Sequence, residues 1–359
     1  MSNKKLKYVK QSMIENILKD NDWLLLLGER SNGKSYAAKN LIIKKCIDDE
    51  DIEMIYLRRY DLDIKDSLCV GYFGDCPVES MTDGKYSCID VYRKGIYLSN
   101  IDENGKIKHG RRIGYCHSLS GSEHYKSLAF PKVKYIIYEE TISQDGRYLF
   151  NETNKLQQYV STIFRNNNKG KIIMIGNRIS RICPYYREWN LKVHSQKLGT
   201  VDKYIFHNDN GDDTRLAVYM TDSLNFNSGL FFGNAANNIT KGAYEVQEYP
   251  HLFKSIVKYK ILYTFVLEYN EFKFLCQLLQ DKEKCNDVFW FVQPKTTEIQ
   301  ENTRVISNQF SSDPLYTGSL RDALNDNERR VLDLFKRGKV CFSDNLTGTE
   351  FNTIITYMR

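Results

Sequence analysis

The sequence predicts an α/β protein in two parts, a mainly parallel sheet covered by helices and then a smaller α+β domain. Three observations carry this. Short apolar runs alternate with helical periodicity from residue 6 to residue 206. A glycine-bounded loop joins the first apolar run to the helix after it, and the composition changes at the polar stretch His207 to Asp213.

Taking the elements in order, Leu6, Val9, Met13, Ile14, Ile17 and Leu18 fall at helical spacing, and Asn21-Asp22 stops that helix. Trp23 to Leu27 is too short for a buried helix and ends at Gly28, so it reads as a buried strand. Lys34 to Ile47 returns to helical period. Ile52 to Leu57 is a second strand, followed by Arg58-Arg59. From Asp61 to Lys126 the chain is rich in turns and tyrosine, with Asp83-Gly84, Lys94-Gly95 and Asn104-Gly105 between short alternating segments, which reads as an inserted β-hairpin region. Val133 to Tyr138 is a third strand, Glu152 to Arg165 a helix, Lys171 to Ile175 a fourth strand ending at Gly176-Asn177, and Val201 to Phe206 a fifth. These elements assign residues 1–207 to the first domain. Residues 208–255 read as a connector, mostly helical from residue 214, with an Asn/Gly/Ala stretch at 225–238 suited to a loop. Residues 256–359 form the second domain, with strands at Tyr259 to Leu267, Glu271 to Leu279 and Val288 to Val292 and a helix at Asn325 to Lys336 stopped by Gly338.

Composition narrows the function classes. No run reaches the about 20 apolar residues that a bilayer span needs, and the start of the chain has no cleavable apolar core, so neither membrane insertion nor export is expected. The nine cysteines are an odd number with no Cys-x-x-Cys pair, which suits reduced thiols in a cytoplasm. Cys116-His117 and Glu123-His124 do not have the spacing of zinc ligands. The net charge of +6 is uneven: residues 1–200 hold 33 Lys+Arg against 24 Asp+Glu, and residues 201–359 hold 18 against 21. The basic half suits a polyanionic partner such as nucleic acid, although dispersed lysines on solvated faces give the same sum.

The chemistry is concentrated in Gly28-Glu29-Arg30-Ser31-Asn32-Gly33-Lys34-Ser35, a complete phosphate-binding loop between a strand and a helix, with Tyr36 following. Successive backbone N–H groups in such a loop point inward, and the helix that follows offers its positive end to the β-phosphate of ATP. Lys34 is placed to reach the β- and γ-phosphates, and the Ser35 hydroxyl to ligate Mg²⁺. The apolar run Val133 to Tyr138 ends in Glu139-Glu140, which assigns Glu139 to the metal side and Glu140 to polarising the attacking water; two solvated carboxylates are the plain alternative. A catalytic glutamate directly after the metal acid places the chain in the ASCE division of P-loop ATPases, among helicases, translocases and packaging motors. Asn177, at a strand tip, suits the polar sensor of that division, or else is a turn asparagine beside glycine. Ring ATPases complete the site with an arginine from the neighbouring subunit. Arg165 is the first candidate, then Arg178 and Arg147, with Lys126 as a further residue acting across the interface; each is otherwise a surface side chain.

The order of these pieces resembles a family. Leu57-Arg58-Arg59-Tyr60, Ile113-Gly114-Tyr115, Leu119-Ser120, Tyr125-Lys126-Ser127, Phe130-Pro131-Lys132-Val133 and Ile136-Ile137-Tyr138-Glu139-Glu140 are similar to the encapsidation proteins of small, protein-primed tailed phages, the DNA-packaging ATPases. The resemblance covers residues 8 to 180 and departs from the family at Glu139, where Asp is usual. It implies a homo-oligomeric ring, commonly a pentamer, in the host cytoplasm, docked on the portal vertex of a prohead and driving double-stranded DNA inward, with a structural RNA as a further partner in some members. It also implies an RNase H-like C-terminal domain without nuclease acids, in keeping with the absence of Asp or Glu from the run Tyr259 to Leu267. Two other readings stand beside a DNA-translocating motor: a terminase-like ATPase with an active C-terminal nuclease, and a P-loop assembly ATPase that touches no nucleic acid.

Overall fold

The computed structural model describes residues 8–143, 147–165, 170–178, 183–208, 211–222, 248–269, 272–284, 287–307, 311–317, 334 and 337–357. The chain divides into two compact units, Met1–Tyr244 and Glu245–Arg359.

The first unit is built on a nine-stranded sheet. In chain order it contains α1 (Gln11–Asp20), β1 (Trp23–Gly28), α2 (Lys34–Asp48), β2 (Glu53–Arg58), α3 (Asp66–Phe73), α4 (Val78–Met81), β3 (Cys88–Tyr92), β4 (Gly95–Ile101) and β5 (Ile107–Ser118). There follow β6 (Val133–Tyr138), α5 (Glu152–Ile163), β7 (Lys171–Asn177), α6 (Pro184–Glu188), β8 (Val201–His207) and β9 (Asp213–Met220). The sheet order is β3-β4-β5-β2-β6-β7-β1-β9-β8. From β5 to β9 every neighbouring pair is parallel, whereas β3, β4 and β8 join antiparallel at the two edges.

Period-2 alternation sorts the side chains of β1 between two cores. Leu24 and Leu26 pack with Ile14, Ala38 and Ile42 of the α1–α2 layer, while Trp23, Leu25 and Leu27 pack with Leu156, Tyr159 and Tyr185 of the α5–α6 layer. A strand buried on both faces reads as the unbroken apolar run seen in the sequence. Each of these leucines removed from water contributes about 1.5–3 kcal/mol.

Two expectations change in this unit. The strands on either side of the polar stretch, β8 and β9, pair antiparallel up to His207 and Asp213, and Asp213–Met220 also runs parallel beside β1, where a helical connector was expected. The apolar run Leu216 to Met220 is the signal that marks it, and the compact unit continues to Tyr244 instead of ending at His207. The inserted region 61–126 also contains α3 and α4 before its hairpin, and β5 joins the main sheet beside β2. The expected loop at 225–238 and most of the helix at 325–336 lie outside the described residues.

The second unit holds β10 (Tyr259–Tyr269), β11 (Phe272–Asp281), β12 (Val288–Pro294), β13 (Arg304–Ser307), β14 (Tyr316–Thr317), β15 (Val340–Phe342) and α7 (Asn345–Tyr357). Its sheet order is β14-β13-β10-β11-β12-β15, a central antiparallel meander extended on each side by parallel pairings. This is the small α+β domain that the sequence predicts. Its first strand runs further than the apolar run suggests and does carry an acid: Glu268 is buried and paired with Lys273 at 2.9 Å. Among the described residues no three His, Cys, Asp or Glu side chains gather as a metal site, and no helix is long and apolar enough to cross a membrane.

Candidate active site

The carboxyl ends of β1, β6 and β7 meet at one cleft of about 1170 Å³, whose lining includes Arg30 to Tyr36, Glu139, Glu140 and Asn177. The loop after β1 turns through left-handed backbone at Ser31 and Gly33. Gly28 is required by close approach: a Cβ there would lie 1.9 Å from Thr221 Oγ1 and 2.6 Å from Asn32 Nδ2. Those two groups close the loop from behind, with Asn32 Nδ2 donating to Thr221 Oγ1 at 2.9 Å. α2 then starts at Lys34, so the N–H groups of its first turn stand at the cleft, that of Lys34 donating to Asn32 Oδ1 at 3.4 Å.

Lys34 is buried. Its ammonium donates to the Glu29 carbonyl, to Asn32 Oδ1 at 3.1 Å and to Asn177 Oδ1 at 3.3 Å. Burial pulls its pKa down to about 8, against the Glu139 and Glu29 carboxylates, which favour the charged form. β7 lies between β6 and β1, so Asn177 stands between the two acids and the loop.

Glu139 is buried at the end of β6, and burial raises its pKa. Its carboxylate hydrogen-bonds to the Ser35 hydroxyl and accepts from Tyr72 Oη at 2.9 Å. Ser35 and Glu139 thus bring two hard oxygen donors together, the donor type that Mg²⁺ prefers. Glu140 turns away into left-handed backbone, with φ of 53°, a conformation that costs a non-glycine residue about 1–2 kcal/mol. Its more exposed carboxylate accepts from Arg58 Nη2 at 2.7 Å.

The interfacial candidates are distributed unevenly. Arg165 and Lys126 meet at the surface, where Arg165 Nη2 donates to the Lys126 carbonyl at 2.6 Å and Lys126 pairs with Glu123. Arg178 hands its backbone N–H to the Gly28 carbonyl at 3.0 Å, which ties it to its own loop. Arg147 lies in the stretch before α5, where its backbone N–H donates to Ser143 Oγ. His117 is absorbed by packing: it stacks on Tyr125 at 3.8 Å and shares a 2.7 Å hydrogen bond with Tyr159 Oη, and burial lowers its pKa to about 3.

A nucleotide loop, an acid pair and a polar tip on the intervening strand are shared by many proteins; the family is decided by sequence. Residues 2–205, more than half of the chain, match the model of the podovirus DNA encapsidation protein (Gp16). The chain belongs to this family. Two relatives of this encapsidation protein are the DNA packaging protein of Bacillus phage B103, 30% identical over 188 residues (50% of this chain and 51% of the relative), and that of Bacillus phage phi29, 29% identical over 168 residues (46% of each). The chain spans about half the length of these relatives. A solved structure of the bacteriophage Phi-29 viral genome packaging motor assembly aligns over 99% of this chain and 100% of that chain, with a TM-score of 0.57 and 21% identity, which shows a shared fold for both units.

Several residues that line the cleft, or support its lining from behind, escape sequence reading. Tyr8 to Ser12 form one wall, and the Tyr8 ring lies 3.3 Å from where a Gly33 Cβ would be. Behind the lining, Thr221 follows β9 and meets Asn32, Tyr72 of α3 meets Glu139, and Arg58 at the end of β2 meets Glu140. Only Arg58 carries a local signal, as a charged residue at a buried strand's end.

Proposed function

We propose that this encapsidation protein is an ATPase that drives double-stranded DNA into a viral prohead as a homo-oligomeric ring. The observation that supports it best is the convergence of Lys34, Ser35, Glu139 and Asn177 around one cleft of about 1170 Å³, in a family whose relatives are DNA packaging proteins. The loop N–H groups and Lys34 hold the β- and γ-phosphates. Ser35 and Glu139 would hold Mg²⁺, which neutralises charge on the phosphate oxygens. Glu140 orients and deprotonates the attacking water; for this its carboxylate must leave Arg58, which makes that ion pair a resting arrangement. Asn177 senses the γ-phosphate through Lys34. Arg165, exposed at the end of α5, acts on the phosphate of a neighbouring subunit. The portal vertex, a structural RNA and a five-membered ring belong to the same reading.

The test combines hydrolysis with packaging. Wild-type protein should hydrolyse ATP with Mg²⁺, faster with duplex DNA and empty proheads, and protect DNA from nuclease inside the capsid. Lys34→Ala should fold yet lose both activities by at least about 100-fold, since it removes the charge on the phosphates. Glu140→Gln should bind ATP and turn it over only at a low residual rate. Hydrolysis indifferent to DNA and proheads, with no DNA protected, would favour an assembly ATPase instead.

A further inference from the structure

Arg58 and Arg59 leave the end of β2 toward opposite faces of the sheet. Arg58 meets the carboxylate of Glu140, whereas Arg59 is buried on the α5 side and meets its backbone. Arg59 Nη1 donates to the Glu140 carbonyl at 3.1 Å, and Nη2 to the Thr141 carbonyl at 2.7 Å. The rest of the guanidinium is fixed by Glu152: Nε donates to both of its carboxylate oxygens, at 3.1 and 2.8 Å, and Nη2 to Oε1 at 3.0 Å. The Tyr148 ring lies 4.8 Å from the guanidinium carbon. Glu152 is closed from solvent and also accepts from Tyr138 Oη at 3.1 Å, Tyr185 Oη at 2.6 Å and the Leu149 N–H at 2.8 Å.

The backbone so held is the left-handed turn at Glu140. A non-glycine residue stays in that region only where its surroundings over-determine it. Buried ion pairs are not in themselves a stabilising choice, and an arginine needed only to neutralise Glu152 has no reason to spend two donors on the carbonyls of Glu140 and Thr141. We propose that Arg59, fixed by Glu152, is a positioning residue that clamps the backbone of Glu140 and so sets where its carboxylate swings. This rests on the reading of Glu140 as the water-activating base. Arg59 fits the role because a planar fork of five donors reaches a carboxylate and two carbonyls at once, whereas a lysine ammonium has three donors on one atom.

The test is a kinetic cycle in the full chain, with Arg59→Lys, Glu140→Gln and the double variant, read by steady-state ATPase and by binding of a fluorescent ATP analogue. A base displaced by about 1 Å loses on the order of 100-fold, so Arg59→Lys should lower kcat by about 10- to 100-fold. KM and analogue affinity should stay within about twofold. In the Glu140→Gln background Arg59→Lys should add no further loss, because the group it positions is already disabled. Losses that multiply in the double variant, or affinity and Tm falling together with kcat, overturn the clamp. Wild-type turnover in Glu140→Gln alone overturns the base assignment, and the clamp with it. Should Arg59→Lys fail to fold, Glu152→Gln carries the test: it keeps the shape but weakens the grip on Arg59, and an unchanged kcat there overturns the proposal.

Discussion

Burial of Lys34 has a consequence that can be measured as nucleotide binding against pH. A phosphate binds the charged ammonium, yet in the free protein this group titrates at about 8, because burial disfavours its charge. At pH 7 about nine molecules in ten carry the charge, and at pH 9 about one in ten. The sign follows from the downward shift: above pH 8, binding must take up a proton, so affinity falls as pH rises. The apparent Kd for ADP with Mg²⁺ should rise about tenfold between pH 7 and 9, which is about 1.4 kcal/mol. Calorimetric titrations at pH 7, 8 and 9, each in two buffers of different ionisation enthalpy, give the affinity and the protons taken up, which should approach one at pH 9. In Lys34→Arg, whose guanidinium stays charged over this range, the proton uptake assigned to this position should vanish. Equal Kd values for wild type at pH 7 and pH 9 with no proton uptake would refute the link between burial and charge at Lys34.

Gly28→Ala puts a methyl group against Thr221 and Asn32, so nucleotide affinity should fall by at least about tenfold with a Tm lowered by overpacking of about 1–3 kcal/mol, read by analogue binding and thermal melting. A fragment ending at Tyr244 should bind nucleotide, whereas one ending at His207 should be insoluble or blind to it, because it lacks β9 and Thr221 beside β1; fluorescence binding on both fragments decides. Mixing Glu140→Gln with Arg165→Ala subunits should recover ATPase activity at interfaces that pair an intact Glu140 with an intact Arg165. No recovery at any ratio, in rings shown to contain both, moves the role to Arg178 or Lys126.

The parts legible in the sequence are those with a local signal. Trp23 to Leu27 is apolar on both faces, and Gly28 to Ser35 has its glycines at fixed offsets, so strand, loop and helix start follow from adjacent residues. Glu139-Glu140 is equally local, being two acids at the end of an apolar run. β9 is legible only in part: Leu216 to Met220 is a buried-strand run, but the acidic turn before it imitates a linker when the pairing with β1, nearly 200 positions away, is out of view. Thr221, Tyr72 and Glu152 carry no signal at all. A threonine behind a loop, a tyrosine on an inserted helix and a glutamate at a helix start acquire their meaning from partners far along the chain.

The same alternation that buries β1 on two faces also divides the labour at the strand ends. Met54 and Tyr56 of β2, Ile137 of β6 and Ile173 and Ile175 of β7 face the α1–α2 core; Arg58, Glu139 and Asn177 continue that parity, Glu139 meeting Ser35, Asn177 meeting Lys34 and Arg58 meeting the Glu140 carboxylate. Ile55, Leu57, Ile136 and Tyr138 face the α5–α6 core, and Arg59 continues theirs toward Glu152. One residue of phase therefore separates groups that face nucleotide from groups that hold them. A single-residue deletion before Arg58 would move Arg59 into the place of Arg58 and Tyr60 into the place of Arg59, giving Glu140 a partner for its carboxylate but none for its backbone. The tandem Arg58-Arg59 is best understood as one device at two phases of a strand end, in which the first arginine holds the moving part of Glu140 and the second holds its pivot.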